Sequence, residues 1–133
     1  MNLAQIRTAL TAPELSQMWA ESCEQIEGVS KDAQERCVQE ISERRDEFLK
    51  VAEEVDDDEE LEVTAALKYI ELKSHWIMLN TLLNYQVFRK GESNPEQMLR
   101  ASLASRLMLT VEALIGGQDL SKITKFLAEP IAK

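Results

Sequence analysis

Apolar residues along this chain recur at threes and fours over almost its whole length, the spacing of amphipathic helices rather than the alternation of strands. Leu3, Ile6 and Leu10 predict a short N-terminal helical turn. Thr11-Ala12-Pro13-Glu14 combines a capping residue, an early-turn proline and a glutamate three residues on, which together satisfy otherwise unpaired amides at a helix start. A helix is therefore expected from about Ala12 to Ile26, with Leu15, Met18, Trp19, Cys23 and Ile26 on one face and Gly28 as its stop. Ser30 can cap a second helix running to about Val55, with Asp32 and Glu35 near its positive end. Its stripe of Val38, Ile41, Phe48, Ala52 and Val55 approaches a heptad seam. Arg44 and Arg45 interrupt that stripe where the repeat expects an apolar residue, so they form a solvated patch between two contact zones, snorkel from the seam, or pair with acids across an interface.

From about Asp58 to Arg89 the pattern runs without Gly or Pro, so the local chemistry offers no place for a sharp kink. At 100° per residue, Tyr69, Leu72, Trp76, Leu79, Leu83 and Val87 share one arc, Ile70, Ile77 and Phe88 lie a quarter-turn or more away, and Met78 and Leu82 lie roughly opposite. A helix apolar on so many sides must be surrounded, by neighbours drawn only partly from its own chain. Its expected length is about 48 Å, whereas a compact body of this size has a diameter of about 36 Å. An elongated fold with a second copy covering the overhang is the expectation.

Gly91 ends the long helix, and Ser93-Asn94-Pro95-Glu96-Gln97 restarts the chain with capping options and a first-turn proline. The fourth helix carries Leu99, Leu103, Leu107, Val111 and Leu114, backed by Met98 and Leu109, and stops at Gly116-Gly117. Asp119 caps a short final helix with Leu120, Ile123, Phe126 and Leu127, closed by Pro130. The predicted architecture is all-α: one domain over residues 1–133, an elongated bundle of four main helices plus short terminal ones, with a long central third helix.

Composition agrees with this reading. Hydrophobic residues make up 44% of the 133, enough for a modest core, while Pro (3) and Gly (4) fall at segment edges. Two cysteines, Cys23 and Cys37, are too few for a disulfide framework, and they read as small core residues in a cytoplasmic protein. The start, MNLAQIRTAL, lacks the charged lead and apolar run of a secretory signal. Trp76 to Phe88 holds 13 residues including Asn80, Thr81, Asn84 and Gln86, where a membrane span needs about 20 mostly apolar ones.

Charge is concentrated rather than spread. Of the net −9, eight acids fall in one run of ten residues, Glu53, Glu54, Asp56, Asp57, Asp58, Glu59, Glu60 and Glu62. As a calcium loop the run fails, with Leu61 where the sharp turn wants glycine and Leu67 where the bidentate glutamate belongs. Its plainer reading is a solvated hinge whose last acids favour the start of the long helix. The sharper one is an acidic surface that imitates phosphates. The bases Arg89, Lys90, Arg100, Arg106, Lys122 and Lys125 are dispersed, which speaks against direct nucleic-acid binding.

His75 is the only histidine, so familiar zinc sites are out of reach. Nothing in the spacing places a cysteine or serine beside it with an orienting acid, and no Gly-rich phosphate loop occurs. No metal, cofactor or catalytic site is expected. These patterns suit a non-enzymatic protein-interaction module, an adaptor, assembly factor or inhibitor, acting on another protein and as a homodimer built on the long helix. Trp19, Arg44, Arg45, Phe48, Tyr69, Trp76, Tyr85 and Phe88 are its candidate contact residues, although a group such as Tyr69, Trp76, Tyr85 and Phe88 is more often core than binding anchor. The rival expectation is a nucleic-acid mimic that blocks a DNA- or RNA-binding protein through the acidic run at 53–62.

Overall fold

The computed structural model describes residues 2–91 and 94–116, without the side chain of Phe88. These residues form helices α1 (Leu3–Leu10), α2 (Pro13–Gln25), α3 (Lys31–Glu54), α4 (Asp58–Lys90) and α5 (Pro95–Ile115), with no strand among them. The all-α bundle and its long third main helix are as the periodicity implies. The expected final helix at Asp119 lies outside the described residues.

Each boundary has a local cause. Asn2 accepts from the Gln5 amide while the Gln5 side chain accepts from the Asn2 amide, both at 2.9 Å, forming a reciprocal cap on α1. Ser30 accepts from Ala33 N at 3.2 Å, Asp57 from Glu60 N at 2.6 Å and Asn94 from Gln97 N at 3.1 Å, at the starts of α3, α4 and α5. Gly91 closes α4 in the left-handed region, φ 64, with its N–H on the Gln86 carbonyl. The cap expected from Thr11 on α2 does not form. Thr11 belongs to the end of α1, its hydroxyl donating to the Arg7 carbonyl, and Ala12 starts α2 without a side-chain cap. With only Thr11 and Ala12 between them, α1 and α2 amount to one bent helix.

α5 is the element that packs on all the others, α1, α2, α3 and α4. Leu99, Leu103 and Leu107 are fully buried along it, and Ala101, Ala104, Met108, Val111 and Ile115 close the rest of its inner face. Burying each leucine stabilises the fold by about 1.5–3 kcal/mol relative to exposure. Met98 and Leu109, expected to back this face, point outward instead. The two alanines and Met108 take their place, the alanines being small enough to let α5 sit close to its neighbours.

Side-chain links fix the packing. Ser102 Oγ donates to Ser22 Oγ at 3.1 Å between α5 and α2. Arg100 reaches Glu40 at 3.2 Å and Arg36 reaches Glu96 at 3.2 Å, both between α3 and α5. Gly28 stands between α2 and α3 at φ +89, and a Cβ there would lie 3.2 Å from Pro95 Cγ, at the first turn of α5. No helix among the described residues is long and apolar enough to cross a membrane.

Candidate functional site

At about 1.5 Å per residue, the 33 residues of α4 run about 50 Å, against about 36 Å for the 24 of α3 and about 32 Å for the 21 of α5. α4 therefore outreaches the helices that shelter it. Its inward arc is the expected one. Tyr69, Leu72 and Leu79 are buried, together with Leu61, Ala65 and Ala66, and Trp76 is packed partly against the core. Val87, on the same arc near the far end, is exposed.

The opposite side of α4 is also apolar, and no other part of the described chain covers it. Val63, Leu67, Ile77, Met78, Leu82 and Tyr85 are all exposed, Met78 by 52% and Tyr85 by 53%. At 100° per residue they fall within an arc of about 140°, facing away from Tyr69, Leu72 and Leu79. Val63 to Tyr85 spans about 33 Å along the axis. Single exposed apolar residues are ordinary on a protein surface, whereas six along one helix face are not. Ile70, half-buried, the small polar Ser74 and Thr81, and exposed Glu71, paired with Lys68 at 3.1 Å, lie between the apolar members.

The candidate residues read from sequence divide by burial. Trp19, Phe48 and Tyr69 belong to the chain's own core. Arg44, Arg45 and Trp76 are half-buried, Tyr85 is exposed on the strip, and the Phe88 side chain lies outside the described residues. Arg44 and Arg45 occupy the gap between Ile41 and Phe48 in the buried stripe of α3, which otherwise runs through Ala33, Cys37, Ile41, Phe48 and Ala52. Arg45 sits over the Trp19 ring, 5.6 Å from its centroid, and pairs with Asp46 at 3.2 Å, a stacked arrangement that favours guanidinium. Val63, Leu67, Ile77, Met78 and Leu82 were not among the candidates. Their signal was present in the angular positions of Met78 and Leu82, opposite the main arc.

The acidic run forms the α3–α4 connection and the turns on either side of it. Glu53 pairs with Arg7 of α1, Asp57 caps α4, and Asp58, Glu59 and Glu60 occupy its first turn, where the helix dipole favours negative charge.

An open cleft of about 420 Å³ lies where α3, α4 and α5 meet, and its walls include Glu40, Glu43, Arg44, Glu47, His75 and Arg100. Burial, followed by the charge of Arg44, holds the His75 imidazole below its ordinary value, with Arg100 acting the same way and Glu40 opposing. Nearby Cys37 is buried, and that burial pushes its thiol up, the reverse of what activates a nucleophilic cysteine. Three carboxylates and two guanidiniums line this cleft, and Arg100 pairs with Glu40 at 3.2 Å. Among the described residues, no three or more His, Cys, Asp or Glu gather as metal ligands.

Compared with known proteins, the chain matches no family model, no curated protein and no solved structure.

Proposed function

We propose that this protein is a non-catalytic interaction module, an adaptor, assembly factor or inhibitor, whose working surface is the outer face of α4. The carrying observation is the exposed strip of Val63, Leu67, Ile77, Met78, Leu82 and Tyr85 on a helix whose other face is already used by the core. Such a helix is apolar on two sides, and association is the ordinary way to remove the second side from water. Self-association through this face is part of the reading. The cleft at His75 supports it indirectly, since the buried Cys37 thiol, its pKa raised, gives little basis for nucleophilic work. The acidic run is less suited to mimicry than its count suggests, because Glu53 and Asp57 are engaged with Arg7 and with the start of α4.

The test is Met78→Gln with Leu82→Gln, which removes apolar surface at exposed positions and leaves the core intact. Wild-type and variant chains are used as bait in cells of the source organism, with quantitative mass spectrometry of what co-purifies. Partners, or further copies of the chain, held by the wild type and lost by a variant of unchanged helicity are the expected result. Identical sets would remove the reading.

A further inference from the structure

We propose that the apolar groove along the last turns of α5 is the seat of this chain's own C-terminal segment, residues 119–129, folded back as a helix antiparallel to α5. This goes beyond the reading of α4 and does not depend on it.

The groove is open, with a volume of about 440 Å³. One wall is α5, through Arg106, Leu109, Ala113 and Leu114, and the other is Ala9 of α1 and Met18 of α2. Leu109 and Ala113 are exposed, and the Arg106 guanidinium is turned to Met18 Sδ at 3.7 Å.

The sequence supplies an occupant of matching character. Residues 117–133 continue directly from α5 and lie outside the described residues. At 100° per residue, Leu120, Ile123 and Leu127 would share an arc of about 60°, with Phe126 about 60° beyond and Lys122, Lys125 and Glu129 on the far side. Asp119 is a capping residue ahead of this pattern, and Pro130 closes it. A helix of about ten residues does not hold on its own in water. Its apolar face needs a surface.

The length of the connection selects which surface. Only Gly116, Gly117 and Gln118 stand between Ile115, the last residue of α5, and Asp119. Helices joined by about two to five residues lie as antiparallel neighbours, and Gly116 already leaves α5 at positive φ. The segment is thereby set against α5 itself. The outer strip of α4 is out of its way, because that strip faces away from Tyr69, the residue through which α4 bonds α5. The inner face of α5 is filled by its own core, including Leu103 and Leu107. The groove is the apolar surface left beside the turn.

Length agrees as well. Residues 120–129 would run about 15 Å as a helix, and Leu114 to Arg106 spans about 12 Å, so Leu120 falls beside Leu114 and Leu127 beside Arg106. A tether this short also holds the segment at an effective concentration in the millimolar range, above that of a separate copy. The seat opens more readily than the five helices unfold, so amide exchange of the segment reports it and the unfolding midpoint does not.

The test is hydrogen exchange followed by mass spectrometry on the full chain, with the free peptide of residues 117–133 as reference. Amides of the segment are expected to exchange at least about tenfold more slowly in the chain than in the peptide, with no change on dilution. Ala113→Arg, which fills the groove from an exposed position, and Ile123→Glu, on the segment's apolar side, should each return them to the peptide rate. Exchange in α3 and α4 should stay as in the wild type. Met78→Gln with Leu82→Gln should leave the segment protected. The proposal is overturned by exchange at the peptide rate in the wild type, or by protection that survives either Ala113→Arg or Ile123→Glu. Protection that fades on dilution would assign the groove to another copy's segment, and protection lost with the α4 variant would move the segment onto α4, and either result overturns it too. Ile123→Glu lies outside the five helices and the α4 variant outside their core, so both keep the test decisive where Ala113→Arg disturbs folding.

Discussion

The Tyr69 hydroxyl donates to Glu112 Oε2 at 2.9 Å, joining α4 to α5 from a phenol that is itself buried. Burial, then the hydrogen bond to Glu112 and its charge, push the Tyr69 pKa up to about 12. The unfolded chain ionises this phenol near 10.0, so the protonated donor contributes stability that is complete below that pH. The contribution is lost as pH rises through about 12. Tyr69→Phe keeps the ring and deletes the donor, at an expected cost of about 1–2 kcal/mol. Its urea midpoint at neutral pH should fall, and the most alkaline step of phenolate absorbance should vanish. An unchanged midpoint would mean that the bond contributes nothing net.

Leu103 and Leu109 lie on opposite faces of α5, one fully buried and the other 56% exposed. Leu103→Ala opens a cavity in the enclosed face of α5, and should cost about 2–5 kcal/mol. Leu109→Ala should change stability by no more than about 0.5 kcal/mol. Chemical denaturation of both variants checks the pair, and similar losses would show that the enclosed face of α5 has been misassigned.

Gly91 and Gly28 both hold positive φ, but in different surroundings. A Cβ at Gly91 meets nothing within 4 Å, so Gly91→Ala pays only the left-handed backbone strain, about 1–2 kcal/mol. At Gly28 the same strain is joined by crowding, since the new Cβ would lie 3.2 Å from Pro95 Cγ at the start of α5. Gly28→Ala should therefore be the more damaging substitution, read as a lower melting temperature than that of Gly91→Ala. The reverse order would count against the Gly28–Pro95 contact.

His75 supplies a pH dependence of the opposite direction from Tyr69. Its folded pKa lies below the 6.5 of the unfolded side chain, through burial first and then the Arg44 charge. Between the two values the unfolded chain binds the proton and the folded one does not. Stability is thus complete above pH 6.5 and declines as pH drops toward the folded value. His75→Gln removes this component, so its urea midpoint should fall less than that of the wild type between about pH 7.5 and about pH 5.5. Equal falls in the two proteins would assign the dependence to other groups.

Much of the architecture was legible along the chain because helix starts and stops are local. The Ser30 cap, the acids at the head of α4, Gly91 and the Asn94-Pro95 restart act within a few residues of themselves and landed where expected. Thr11 failed for the same local reason: α1 claims it, and a side chain cannot cap the next helix while finishing the one before. The long rod was legible too, as was the arc of Tyr69, Leu72 and Leu79 that faces inward, since angular position on a helix follows from sequence spacing alone.

Sequence by itself thus determined the helices, their order and the two apolar sides of α4. Which side the chain would keep for its own core, and which it would leave in water, depended on the lengths and positions of α3 and α5 in three dimensions. Tertiary packing alone made α5 the helix that all the others touch, placed Trp19, Phe48 and Tyr69 out of a partner's reach, and turned Met98 and Leu109 outward. Periodicity records that a face is apolar, but burial is decided by whatever another part of the chain brings against it.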